Sequence, residues 1–132
     1  EKALRLGIAE RVKFLVNVSD IEKWNILMKS KIIVHAKIFE PFGIAVAEGM
    51  YAGCIPVVFR GPLSGPWIDL TNKGEFGFGF RDVDALADIM DNVLADYDKM
   101  KAMVNDIATR ALAYSYESFR KRFLTVIAKQ LV

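Results

Sequence analysis

Residues 32 to 59 read IIVHAKIFEPFGIAVAEGMYAGCIPVVF, and the order strand, loop, helix, strand within this stretch decides the fold. Ile32 to His35 is short, apolar and β-branched, the pattern of a strand buried on both faces of a parallel sheet. A helix is expected from about Phe42 to Ala52, ended by Gly53, the usual residue for a left-handed C-terminal position. Ile55 to Phe59 forms the next buried strand, with Pro56 tolerated near its beginning. The nineteen residues from Pro41 to Phe59 hold a single charge, Glu48. A lone carboxylate in so apolar a segment is costly if buried without partners, so a hydrogen-bonding group must face it. Glu40 lies in the loop before the helix, eight positions upstream.

Outward from this stretch, strands and helices alternate. Glu1 to Leu6 suits a helix end closed by Gly7. Val12 to Val16 (VKFLV) has the β-branched and aromatic composition of a strand. Ser19 and Asp20 offer an N-cap, with Glu22 in the first turn, for a helix through about Lys29 with Trp24, Ile26 and Leu27 on its apolar side. Residues 60 to 66 (RGPLSGP) hold two Gly-Pro steps and read as a loop. A short helix from about Trp67 to Thr71 leads to a turn at Asn72 to Gly74, and Phe76 to Phe80 (FGFGF) reads as a glycine-weakened strand. Asp82 or Asp84 caps a helix over Ala85 to Leu94, where Leu86, Ile89, Met90 and Val93 recur at helical spacing. Amphipathic helices over about Lys99 to Ala113 and Ser118 to Leu131 complete the chain. The alternation predicts an α/β fold, a three-layer Rossmann-like domain with a mostly parallel sheet. Ligands of such sheets bind beyond the carboxyl ends of the strands, where loops 17 to 19, 36 to 41 and 60 to 66 emerge.

The chain has 132 residues, enough for one domain with a core of its own. Eighteen basic and sixteen acidic residues leave a net charge of +2, spread out except at Arg120 to Arg122, which excludes a nucleic-acid footprint. That small cluster is either a solvated helix face or a weak phosphate or lipid-headgroup contact. The hydrophobic fraction of 53% is high, yet no apolar run reaches the length of a membrane span. The excess points to an interface with another domain. The single cysteine, Cys54, cannot form an internal disulfide and reads as plain core, which fits a reducing, cytoplasmic setting or the cytoplasmic face of a membrane.

Gly43 falls at the first turn of the central helix, where unpaired amides and the helix dipole favour an anion such as phosphate. It either admits a ligand close to the amides of Gly43, Ile44 and Ala45 or simply lets the helix pack. At ~1.5 Å rise per residue, eight positions separate Glu40 and Glu48 by at most about 12 Å. That is too far for a glycosidase pair sharing one scissile bond, and it suits the two ends of an extended ligand. Glu40 is otherwise a solvated loop acid and Glu48 a structurally hydrogen-bonded one. His35 is either a structural hydrogen-bonding residue or a substrate contact. Lys37 and Arg60, in ligand-side loops, are either exposed basic residues or phosphate contacts. Trp67, just past the loop at Gly65 and Pro66, packs or lines the cleft. No acidic cluster suggests a metal.

Glu40-Pro41-Phe42-Gly43-Ile44, then Glu48, Met50, Ala52-Gly53 and Pro56-Val57-Val58, resembles the E-x7-E segment of retaining glycosyltransferases of the GT-B fold, family 4. Arg11 to Leu15 resembles that family's "drV.FlG" strand, with Val16 where a glycine is usual. Ser64-Gly65-Pro66 and Asp69 resemble its "GGp..E/D" loop and helix, with Ser64 replacing the first glycine. Phe76 to Phe78 and Asp84 to Ala87 are similar to its next strand and helix. His35 and the Phe42-Gly43-Ile44 variant resemble the dolichol-pathway mannosyltransferases within the family.

The resemblance implies a nucleotide-sugar donor, a GDP- or UDP-sugar, as substrate, with no cofactor and no metal. Glu40 would be the catalytic residue, hydrogen-bonding donor-sugar hydroxyls and helping to position the anomeric carbon, and the amides of Gly43, Ile44 and Ala45 would contact the sugar and stabilise the leaving diphosphate. Glu48 would accept from the ribose, Val16, Asn17 and Val18 would lie near the base, and Ser64, Gly65 and Pro66 would close the site. It also implies that residues 1 to 132 are a partial C-terminal donor-binding domain. An N-terminal acceptor domain and a diphosphate-binding basic pair would lie upstream, and the isolated chain is expected to transfer little or no sugar. The acceptor, whether glycan, lipid-linked or small molecule, stays open. So do three other readings: a nucleotide-sugar epimerase, a phosphorylase relative, and a noncatalytic nucleotide-sugar module on the same fold.

Overall fold

Three short parallel strands carry the molecule, and each begins where the sequence turns from polar or turn-forming residues to apolar ones. The structure, a computed structural model, describes residues 1–130. Strands β1 (Ile32–His35), β2 (Ile55–Phe59) and β3 (Phe78–Phe80) lie in the order β1-β2-β3. Ile32 pairs with Ile55 and His35 with Val58, while Val57 pairs with Phe78 and Phe59 with Phe80. Val57 and Val58, which point to opposite faces, are both fully buried, so β2 is covered on both sides. The expected Rossmann-like α/β sheet is present. β1 differs from its expectation, because it is an edge strand and only half-buried, with Val34 41% exposed.

Six α-helices accompany the sheet among the described residues: α1 (Lys2–Arg5), α2 (Asp20–Lys29), α3 (Ile44–Tyr51), α4 (Val83–Ala95), α5 (Tyr97–Leu112) and α6 (Tyr116–Gln130). The start of α2 is fixed by a capping box: the Glu22 amide donates to Ser19 Oγ at 3.3 Å and the Ser19 amide to Glu22 Oε2 at 3.0 Å. The Asp82 carboxylate likewise caps α4 by accepting from the Ala85 amide at 2.8 Å. Between β2 and β3 the chain makes one π-helical turn (Pro66–Leu70) and one 3-10 turn (Asn72–Gly74).

Several boundaries shift from the sequence expectation. The central helix begins at Ile44 instead of Phe42, because Gly43 is left-handed at φ 89° and ends the helical path there. Its other end closes as expected, with the Gly53 amide donating to Met50 O at 3.1 Å and the Cys54 amide to Gly49 O at 2.9 Å. β3 loses Phe76, whose amide bonds back to Thr71 O at 2.9 Å and closes a turn. Helices α4, α5 and α6 each start two residues earlier than expected, and Leu131, the expected end of the last, lies outside the described residues. The largest correction concerns Val12 to Val16, which pairs with no strand and leaves Phe14 81% and Val16 78% exposed. β-branched composition favours a pleated, half-buried surface, and without a ladder to join, it does not make a strand.

The core lies around α3. Val46 and Met50 of that helix, Ile55 and Val58 of β2, Leu70, Val93 of α4, and Ile107 of α5 are all fully buried. Each such side chain stabilises the fold by about 1.5–3 kcal/mol relative to exposure. Cys54 is part of this interior, its thiol directed to Leu27 O at 3.2 Å and pushed up in pKa by burial, so it is the inert core residue expected. No described helix is long and apolar enough to cross a membrane.

Candidate functional site

Glu40 stands at the centre of a junction between the loops that leave β1 and β2. Its amide donates to Leu63 O at 3.3 Å, its carbonyl accepts from the Gly65 amide at 2.7 Å, and it forms an isolated parallel bridge with Ser64. A side chain on Gly65 would strike the Pro41 carbonyl, and one on Gly43 would come within 2.6 Å of the Pro66 ring. Ser64, Gly65 and Pro66 are buried in consequence, and they pack on residues 40 to 43 through backbone. The two glycines thus serve the joining of the loops, and the space over Gly43 belongs to Pro66.

The Glu40 carboxylate is 18% exposed and meets two bases. Lys37 Nζ donates to its Oε2 at 3.2 Å, and His35 Nε2 lies 3.6 Å from the same oxygen. Lys37 holds this carboxyl below the usual glutamate pKa; partial burial opposes it, while the Phe42 amide adds to it. Glu40 is therefore ionised at neutral pH and presents only acceptors. His35 Nδ1 is buried without a hydrogen-bond partner among the described residues.

Beyond Gly43 the first turn of α3 faces solvent, with Ile44 70% exposed. As the first two helical residues, Ile44 and Ala45 have no intrahelical carbonyl to receive their amides, so this end can accept an anion. One turn further along, Glu48 Oε1 receives Lys23 Nζ of α2 at 2.8 Å. The bond raises the Lys23 pKa, and Lys23 also reaches Asp20 at 3.4 Å and the face of Trp24. The lone carboxylate of the central stretch thus has a protein partner, and it engages one oxygen only. A cleft of about 420 Å³ opens beside Glu48, walled by Trp24, Phe42, Ile44, Tyr51 and Tyr114. Trp24 and Tyr51 meet edge to face at 6.1 Å, and Phe42 lies against Tyr114 at 5.1 Å.

The structure brings His35, Lys37, Glu40, Gly43 and Ser64 to Pro66 together at one junction, with Ile44, Ala45 and Glu48 following on α3. Val16, Asn17 and Val18 are not among the residues lining the Glu48 cleft; Val16 and Asn17 are exposed, and Asn17 is left-handed at φ 53°. Arg60 and Trp67 line a different cleft, with the guanidinium 5.4 Å from the indole centre. Sequence reasoning missed Lys23 and Tyr114. Lys23 was within reach of the sequence, because a capped α2 fixes its position and an isolated acid on the neighbouring helix calls for a cation. Tyr114 lies just past the C-terminal end of α5, far from this segment in sequence, and left no local signal. No cluster of three or more potential metal ligands occurs among the described residues.

A family model described as "Glycosyl transferases group 1" matches residues 1–110. Over 122 residues the chain is 28% identical to the GDP-Man:Man(3)GlcNAc(2)-PP-Dol alpha-1,2-mannosyltransferase of Dictyostelium discoideum, covering 92% of this chain and 24% of that one. The enzyme of the same name from Mus musculus is 29% identical over 130 residues, covering 96% and 26%. The Alpha-1,3/1,6-mannosyltransferase ALG2 of Dictyostelium discoideum is 38% identical over 65 residues, covering 48% and 16%. The chain spans about a quarter of the length of the first two relatives. No solved structure matches it.

Proposed function

The chain belongs to the glycosyl transferases group 1 family, and from that premise we propose that it is the donor-binding part of an enzyme moving mannose from GDP-mannose to a lipid-linked glycan. The names of the relatives, which specify GDP-Man and a PP-Dol-linked acceptor, support that choice of donor and acceptor. The observation that carries the reading is the pair of carboxylates, Glu40 and Glu48, set on either side of the open amide end of α3.

In this reading the diphosphate lies at the amides of Ile44 and Ala45, where the helix end stabilises negative charge. Glu40, ionised and held by Lys37, accepts hydrogen bonds from mannose hydroxyls and orients the anomeric carbon. Glu48 shares its carboxylate between Lys23 and the ribose hydroxyls, and the aromatic cleft beside it receives the rest of the nucleoside. The bond from the anomeric carbon to the diphosphate oxygen breaks, the electron pair leaves with GDP, and the acceptor hydroxyl oxygen bonds to the same carbon and passes its proton to the departing diphosphate oxygen. Charge growing on the leaving diphosphate meets the α3 amides, which is where such donors lower a barrier. Anomeric configuration is retained.

Isothermal titration with GDP, GDP-mannose, UDP-glucose and ADP-glucose tests this. GDP and GDP-mannose bind, and Glu48→Ala weakens both about tenfold, as loss of a charged hydrogen bond would. Glu40→Ala weakens GDP-mannose and leaves GDP within about twofold. The reading fails if neither substitution changes binding. Binding of GDP-mannose with no transfer in the full protein would favour a noncatalytic module.

A further inference from the structure

A second cleft, about 800 Å³ in volume, opens at the carboxyl ends of β2 and β3 and shares no wall with the Glu48 cleft. Three cations line it, Arg60, Lys73 and Arg81, and among the described residues no carboxylate does. None of the three forms an ion pair among the described residues. The two arginines are forced together by register. Phe59 pairs with Phe80, and the Arg60 amide then donates to Phe80 O at 2.7 Å, so Arg60 and Arg81 leave adjacent strands as neighbours, at a backbone spacing of about 5 Å. Like charges on neighbouring strand ends repel, and an anion between them relieves that repulsion.

The acids nearest in sequence are committed elsewhere. Glu75 accepts from Asn72 Nδ2, and Asp82 caps α4 through the Ala85 amide. Lys73 arrives on a turn in which Asn72 and Lys73 are both left-handed, at φ 46° and 56°. That conformation is unfavourable without glycine, and such strain collects at ligand clamps and other functional sites. Arg60 lies over Trp67, which holds its planar fork and leaves N–H groups for an anion. Ile38 and Phe59 make the remaining wall apolar.

The geometry points to a phosphate-ester site: the cleft of Arg60, Lys73 and Arg81 binds a phosphate or diphosphate carried on an apolar group. The phosphate meets the three cations, and the apolar part lies along Trp67, Ile38 and Phe59. This is independent of donor binding at Glu40 and Glu48. The shared chemistry could come from a lipid headgroup or from a soluble phosphate ester.

The two tryptophans separate the sites, since Trp24 lines the Glu48 cleft and Trp67 this one. In nitrogen-15 correlation spectra, inorganic pyrophosphate is expected to shift the Trp67 indole N–H, and the paired substitution Lys73→Gln with Arg81→Gln to weaken that response at least about tenfold, by loss of two charged contacts. Absence of a Trp67 shift at millimolar pyrophosphate, or an equal shift in the paired variant, overturns the site. Sedimentation with phosphatidylcholine vesicles containing or lacking phosphatidic acid identifies the source. Retention on the acidic vesicles alone, lost in the paired variant, assigns a lipid phosphate. A pyrophosphate response without vesicle retention assigns a soluble ester. GDP binding is read at Trp24, so donor binding can fail while this site stands, and the reverse.

Discussion

Gly43 carries two constraints at once, a left-handed backbone at φ 89° and a Pro66 ring where a side chain would go. Gly43→Ala should therefore destabilise the chain by about 1–3 kcal/mol, since strain and overpacking act together. A lower urea midpoint with an unchanged slope would show it, and an unchanged midpoint would refute it. Glu40 makes a pH prediction. Its pKa is lower folded than unfolded, chiefly through Lys37, so its contribution to stability is fully present above the unfolded glutamate value of about 4.3 and is lost as pH falls through the depressed folded value. Lys37→Met should bring that acid limb to higher pH in thermal melts followed downward through the acid range. Superimposable curves for the two proteins would discount the Lys37 contact.

At the scale of elements, α2 depends on its reciprocal cap. Ser19→Ala removes the bond that Ser19 Oγ accepts from the Glu22 amide and the one it donates to Glu22 Oε2, keeps the main-chain half of the box, and should cost about 1 kcal/mol by denaturant unfolding, with no loss expected if the box is not formed in solution. This helix was legible in the sequence, with its cap at Ser19 or Asp20 and its end near Lys29, because a capping residue followed by an acid in the first turn carries its own signal. So were β1 and β2, whose bounds follow from apolar runs between turn residues, and the Gly53 stop of α3. Val12 to Val16 was not, because a strand needs a partner as well as a composition, and the partner is not written locally. The site divides along the same line. Glu40, Gly43 and Glu48 stand out within one short segment, whereas Lys23 meets Glu48 across 25 positions and the Arg60–Arg81 adjacency follows only from sheet register.

Across the whole molecule, burial is uneven. The core gathers at α3, β2, α4 and α5, while α6 has no buried residue and leaves Phe119 and Phe123 stacked in the open. Its ties to the body are a few bonds at its start, such as Ser118 Oγ to Leu112 O at 2.8 Å and Arg122 to Ala113 O at 2.7 Å. Deleting the chain from Tyr116 onward should change unfolding free energy by less than about 1 kcal/mol, as for surface changes generally. A loss of several times that would place α6 in the core. The junction at Glu40 has the opposite character. Because its main chain trades bonds with residues 63 and 65, neither loop can lift without breaking the hold of the other. In hydrogen exchange the Glu40 and Gly65 amides should then open as a single cooperative unit and exchange with one free energy. The floor under the proposed sugar is thus a rivet between two loops, and any gating motion has to come from another part of the molecule.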